Sequence, residues 1–433
     1  MFKAVAGYYK DNERLRLLVK IIAVWLISRV VMLLMVPVMN LIADEPHQWL
    51  YYMNPWDAEW YKGIVENGYQ PPKSSGMASW AFFPLYPLVC MAVRLVTMGS
   101  IDTYAVGMTV SNICIIIAVY YAVKYADIEL DMKKYNKKTV EDIIIFLMLA
   151  GPFAVYYGAM YTEALFILCV ILCFYNSARH NYMAAGIAAA MASATRIVGC
   201  MLVFVLITYM FIEAYAECRA KHNSKVKDNK EAGIIDKYML TDEAGIMLAG
   251  NISLASVIRT FIKNVIKEPK RLVAIMISPL GIFIYMNYLR YLCGDSWAFY
   301  HVQRAWRTQK MFPVIGVLFK SCTGQLSAAS GVKTLNGIIL GWLCVITLML
   351  YAAMIRKKHY ALGIFGIIVL LIPLTSSVMS TLRFIMGSFV IYIGVAEIIA
   401  GCNRYVRYGI IALLSIVEVV VISAWYFWDG LLM

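Results

Sequence analysis

Apolar runs of 18 or more residues recur along this chain, each long enough to cross a bilayer as a helix. Nothing else in the sequence narrows the possible folds so far. Lipid offers no hydrogen-bond partners, so a spanning backbone satisfies itself as a helix or a closed barrel. These runs lack the alternation of barrel strands. Composition agrees: 62% of the 433 residues are hydrophobic, 15% are charged, and mean hydropathy is +0.70. The predicted fold class is an all-α polytopic membrane protein. A net charge of +13 raises nucleic acid as a partner, but the basic residues sit in short segments between apolar runs, where positive-inside topology accounts for them. No nucleic acid is expected. The ten cysteines lie mostly inside apolar runs and form no paired C-x-x-C set, which points to packing and not to zinc. A bridge between Cys293 and Cys322 stays open.

Charge sets the orientation. Lys3, Lys10, Arg14, Arg16 and Lys20 precede a first span at 21–42 and place the N-terminus in the cytoplasm. That span lacks a small-residue cleavage site after it and reads as a retained helix. The loop after the span at 104–125 carries Lys133, Lys134, Lys137 and Lys138 and belongs inside. The Pro-broken segment 81–96 therefore reads as a re-entrant or interfacial element of the outer side. Further spans are predicted at 142–159, 160–178, 183–195, 197–216, 272–292, 335–355, 360–376, 384–401 and 408–427, about eleven in all. One domain covers 1–433, with an outer catalytic loop at 43–103 and a basic cytoplasmic loop at 217–271. In that loop Leu254, Ile258, Phe261 and Val265 share one helical face, and Arg259, Lys263 and Lys267 another. This is the pattern of a helix lying on an anionic membrane surface. No internal repeat of the transporter kind is present.

With that topology the unusual polar residues share the outer side. NPWDAEWYKGIVENGYQ (54–70) sets Asp57 and Glu59 among Trp56, Trp60 and Tyr61. Tyr161 and Glu163 follow the helix-breaking Gly151-Pro152, Arg196 lies at a junction of two spans, and Arg383 opens another span. Gln303, Trp306 and His301 lie in a wholly outer segment. Arg29 sits nine residues into the first span, where an ionisable group is functional by default. Taken singly, most have a plain structural reading. Arg196 and Arg383 suit interface anchors, Glu163 suits a helix first turn, and Glu59 suits a solvated face. Their convergence on one face outweighs this. Arginines there fit a phosphate anchored in lipid, aromatic rings fit sugar faces, and a carboxylate fits a general base toward a hydroxyl. With no Walker or G-x-G motif in the chain, a nucleotide donor is not expected.

The blocks WDAEWYKGIVENGY (56–69) and FFPLYPL (82–88) resemble the first-loop signature of the PIG-V family of GPI mannosyltransferases and their prokaryotic relatives. SR (28–29), YTEALF (161–166), AGIAAAMASATRIVG (185–199), DSWAFYHVQRAW (295–306) and SVMSTLRFIM (377–386) match in type and order. The resemblance implies a GT-C membrane glycosyltransferase that moves a mannose or similar hexose, with inversion, from a polyprenyl-phosphate-linked donor to a glycolipid, glycan or protein acceptor. It makes Asp57 the expected base, with Arg196, Arg383 and Arg29 holding the donor phosphate. Glu163, Gln303, Tyr161, Trp56, Trp60 and Trp306 would position substrate. Glu59 departs from the family pattern. No cofactor and no metal site are expected, with a divalent cation left open. The implied location is a prokaryotic plasma membrane with the active site outside, or the ER membrane in a eukaryote. The other readings are a flippase or transporter for an anionic lipid-linked sugar and a non-catalytic subunit of a glycosylation partner.

Overall fold

A computed structural model describes residues 12–43, 45–231, 252–305, 313–325, 334–375, 378, 380–427 and 432. Among these residues the chain is helical and has no strands. Five helices are long and apolar enough to cross a membrane: Glu13–Asn40, Thr103–Glu129, Ile197–Asn223, Thr334–Arg356 and Arg404–Tyr426. Two further pairs pass only if each bent pair is one span: Pro269–Ile277 with Leu280–Cys293, bent by 43°, and Thr381–Gly387 with Val390–Gly401, bent by 70°. Four apolar helices are shorter: Leu85–Val96, Glu163–Ala178, Tyr182–Ser193 and Tyr360–Leu374. The chain is an integral membrane protein.

Helix starts follow from short polar side chains that accept from otherwise unpaired first-turn amides. Asn12, Asp102, Asn136, Asn181 and Asn403 each do so. The breaks follow from proline and tight backbone contacts. The run expected to span 142–159 ends as a helix at Leu149, because Gly151 and Pro152 turn the chain. A Cβ on Gly151 would lie 2.7 Å from the Leu147 carbonyl oxygen. The run expected at 272–292 breaks at Ser278-Pro279, and the one at 384–401 breaks at Ser388-Phe389. Segment 81–96 contains a 12-residue helix, Leu85–Val96, opened by Pro84. That is fewer than the roughly 20 residues a span takes.

The Glu163–Ala178 helix is buried almost throughout and lies at the centre. It packs against Thr103–Glu129 and Tyr182–Ser193. Glu13–Asn40 and Arg404–Tyr426 lie outside, exposing Leu26, Ile27, Leu34, Leu413, Ile416 and Val420 to lipid. The amphipathic helix runs from Leu254 to Lys267, and the four apolar residues expected to share one face divide between two. Val257 is buried, while Phe261 and Val265 pack on the core; Leu254 and Ile258 face out with Ile262 and Ile266. Cys293 and Cys322 are both free, so no bridge joins them.

Candidate active site

Four charged side chains meet where four helical segments begin. Asp57 opens Asp57–Asn67 and Glu163 opens Glu163–Ala178, both in first turns that favour negative charge. Arg196 is the extended residue before the 3₁₀ turn Ile197–Met201, and Arg383 lies in the short helix Thr381–Gly387. Arg383 is the hub. It donates from Nη1 to Asp57 Oδ2 at 2.5 Å and from Nε to Glu163 Oε1 at 2.5 Å. Arg196 Nη1 donates to the same Glu163 oxygen at 2.6 Å. One carboxylate oxygen thus holds two guanidinium groups, and among the described residues Glu163 Oε2 is buried without a partner.

Exposure separates the two acids. The Asp57 side chain is 25% exposed and that of Glu163 is 2% exposed, so only Asp57 is open to a reacting molecule. The guanidinium groups are walled by rings: Arg383 lies 4.9 Å from the centre of Tyr161, and Arg196 4.9 Å from that of Phe384. Cation–π contact of this kind steadies a charge that must stay in place.

The backbone around Asp57 is fixed from beneath. Tyr161 donates its hydroxyl to the Pro55 carbonyl at 2.8 Å, and the Asp57 amide donates to the same hydroxyl at 3.3 Å. Buried Asn54 accepts from the Met160 amide at 2.8 Å. Trp56 packs edge-on against Trp425, which also meets Tyr156 and Tyr161. Trp56 and Ser380, the residues that precede the Asp57 and Arg383 helices, have positive φ of 46° and 61°. Left-handed backbone at a non-glycine residue costs on the order of 1–3 kcal/mol, and such strain gathers at functional sites.

The sequence-predicted residues divide accordingly. Asp57, Glu163, Arg196, Arg383 and Tyr161 come together. Glu163 was expected to meet sugar hydroxyls; its Oε1 is instead taken by two arginines. Arg29 stands apart, donating from Nε to Asn112 at 2.7 Å and from Nη1 towards the Ala154 carbonyl at 3.4 Å. Trp60 stacks on Phe82 at 5.6 Å, with Lys73 Nζ 4.8 Å from its ring centre. Gln303 lies in the turn Val302–Ala305, which packs on the Ser79–Ala81 turn. Among the described residues, no hydrogen bond joins Gln303 to the charged cluster. Trp306 lies outside the described residues. Sequence reasoning missed Asn54 and Trp425. The first was legible as the polar residue before Pro55; the second sits among apolar residues and carried no signal. Among the described residues, no three His, Cys, Asp or Glu side chains gather as a metal site.

Residues 17–229 match the family model described as Mannosyltransferase (PIG-V). No curated protein matches the chain. Among solved structures, the archaeal oligosaccharyltransferase AglB from Archaeoglobus fulgidus, in complex with an inhibitory peptide and a dolichol-phosphate, is similar at a TM-score of 0.45 and 12% identity. That match covers 98% of this chain and 56% of that one. The apo form of the Archaeoglobus fulgidus oligosaccharyltransferase is similar at a TM-score of 0.46 and 12% identity, covering 98% and 57%. The chain spans just over half the length of these structures.

Proposed function

Because residues 17–229 belong to the mannosyltransferase (PIG-V) family, we propose that this membrane glycosyltransferase draws its sugar from a polyprenyl-phosphate-linked donor. The sugar is mannose or a similar hexose, transferred with inversion to a hydroxyl of a glycolipid, glycan or protein at the outer membrane face. The arrangement is of GT-C type. We place it in a prokaryotic plasma membrane, with the Lys-rich joints at 133–138 and 356–358 inside.

The observation that carries this reading is the unbroken chain Asp57–Arg383–Glu163–Arg196. It sets a base beside two fixed cations. Arg383 occupies Oδ2 of Asp57, so Oδ1 takes the proton of the acceptor hydroxyl. The hydroxyl oxygen then bonds to C1 of the sugar as the C1–O bond to phosphate breaks. The electron pair leaves with the polyprenyl phosphate, whose charge Arg383 and Arg196 stabilise. Glu163 keeps both guanidinium groups aimed and is a positioning residue. On this reading Arg29, which donates to Asn112 and towards the Ala154 carbonyl, supports that turn, and the phosphate falls to Arg383 and Arg196. As proposed, the step uses the two arginines in place of a cation, so a chelator is expected to leave turnover unchanged; loss of turnover would assign a divalent cation to the site.

The test is Asp57→Asn in purified enzyme supplied with polyprenyl-phosphate-mannose. A lost general base lowers turnover by roughly 10²–10⁴-fold. Near-normal transfer by a normally expressed variant removes Asp57 as base. Lipid-linked sugar flux in liposomes with no glycosylated product would favour the flippase reading instead.

A further inference from the structure

The hairpin Glu163–Ala178 and Tyr182–Ser193 carries Glu163 and, just beyond it, Arg196 at its open end. A second cluster of charge lies at its turn. There a cavity of about 360 Å³ is lined by Arg179, His180, Tyr182, Glu268, Lys270 and Arg271, among others. It lies a full helix length from Asp57, and nothing in the proposed reaction uses it.

The carboxylates of this corner are already engaged. Arg271, only 5% exposed, donates to both oxygens of Glu213 at 3.0 and 2.9 Å and to both of Glu268 at 2.9 and 3.0 Å. Tyr182 donates to Glu213 at 2.7 Å, and His180 Nδ1 lies 3.1 Å from the same carboxylate. Among the described residues the Arg179 side chain is held by a phenol alone, donating to Tyr175 at 2.8 Å. Lys270 is exposed, and no carboxylate ion-pairs with it or with Arg179 among the described residues. The helices Tyr182–Ser193 and Pro269–Ile277 both begin here, adding the positive ends of two dipoles. His180 at the turn holds a positive φ of 58°. The cavity is a cationic cup on a rigid ion-paired floor.

Its rim is apolar. The preceding helix, Leu254–Lys267, exposes Ile262 and Ile266 in a row with Leu254 and Ile258, flanked by exposed Arg259, Lys263 and Lys267. On the other side Leu272, Val273 and Met276 are exposed on Pro269–Ile277. This apolar row runs in the chain into Pro269–Ile277, half of a bent pair apolar enough to be one span, and cations border it. Charge and apolarity together match one occupant, an anionic lipid. We propose that the cavity binds the phosphate-bearing headgroup of an anionic membrane lipid. Its acyl chains lie along Ile262, Ile266, Leu272 and Met276, and Arg179 and Lys270 take the phosphate. A free phosphate uses the same cations and gains nothing from the rim.

The full-length protein in a zwitterionic detergent tests this. Dioctanoyl phosphatidylglycerol is expected to raise the thermal midpoint by about 3 °C or more at saturation, while dioctanoyl phosphatidylcholine and inorganic phosphate leave it unchanged. Arg179→Gln with Lys270→Gln should weaken the phosphatidylglycerol response at least tenfold and leave mannosyl transfer in detergent intact. Both side chains lie outside the buried ion pairs, so the double variant folds. An equal response to phosphatidylcholine, an equal response to inorganic phosphate, or an unchanged response in the double variant would each overturn the proposal.

Discussion

Asp57 and Glu163 are two acids joined through one arginine, and removing either has a different signature. Glu163→Gln takes away the charge that two buried guanidinium groups share. Breaking a buried ion pair from one side costs about 3–5 kcal/mol, so the melting temperature falls. If Glu163 only aims the arginines, kcat falls and donor KM rises together as the phosphate contacts loosen, by the same factor whichever sugar the donor carries. A loss that depends on the sugar places Glu163 on the sugar instead. Arg196→Ala shares the rise in KM. It removes a charge-assisted contact of about 1.5–3 kcal/mol, and donor KM rises by roughly 10- to 150-fold. The residues legible in the sequence at this scale were those whose charge had no business at the end of an apolar run: Asp57, Glu163, Arg196 and Arg383. Which acid faces the substrate was not legible, because exposure depends on partners distant in sequence. The surroundings of Arg29 were hidden for the same reason: its partners, Asn112 and Ala154, are set by packing.

At the scale of elements, the site depends on helices that approach too closely for any side chain. A Cβ on Gly281 would lie 2.3 Å from the Ala190 carbonyl oxygen and 2.4 Å from the Ala194 amide nitrogen, and one on Gly199 would lie 2.3 Å from the Ala192 carbonyl. Both contacts grip the turn that ends at Arg196. Gly281→Ala should therefore force the helices apart and lower stability by about 1–3 kcal/mol. It should also lower transfer more than a stability-matched core variant does. Gly63→Ala is the control, since nothing lies within 4 Å of its would-be Cβ; melting and turnover stay near wild type or rise slightly. The positions of the long helices could be read from hydropathy and their starts from Asn and Asp. The breaks were legible where a proline marks them, at Gly151-Pro152 and Pro84, and not elsewhere. The 70° bend that brings Arg383 to the site falls at Ser388-Phe389, a stretch with no proline. In the amphipathic helix, periodicity gave the helix, but packing takes Phe261 and Val265 to the core and leaves Leu254 and Ile258 outside, a division the neighbouring helix decides.

Across the whole molecule, the end of the bundle away from the site is tied by one histidine. His359 Nδ1 lies 2.8 Å from Glu129, and its Nε2 3.9 Å from Glu397, which also accepts from Lys357 and Tyr135. Burial alone would lower the His359 pKa, but hydrogen bonds to Glu129 and Glu397 carry it up to about 9. The folded state thus holds this proton more tightly than the unfolded chain, whose ordinary value is near 6.5. Its contribution to stability is complete below about pH 6.5 and is lost as pH rises through about 9. Melting temperature should fall across that window, and His359→Gln should flatten the fall. Constant wild-type melting from pH 6.5 to 9 would count against the tie.

The central hairpin has a consequence of another kind. Its helices have 16 and 12 residues, about 24 and 18 Å at a rise of 1.5 Å per residue. Bilayer hydrocarbon is about 30 Å thick. Its turn carries Arg179 and exposed His180, which hold it at the water boundary. The other end then stops short of the opposite boundary, and because other helices surround it, protein and not lipid makes up the difference. Glu163 and Arg196 therefore lie below the level at which full-length spans end. On the proposed reading, a lipid-borne phosphate would reach them sideways from its own leaflet, without lifting its tail towards water.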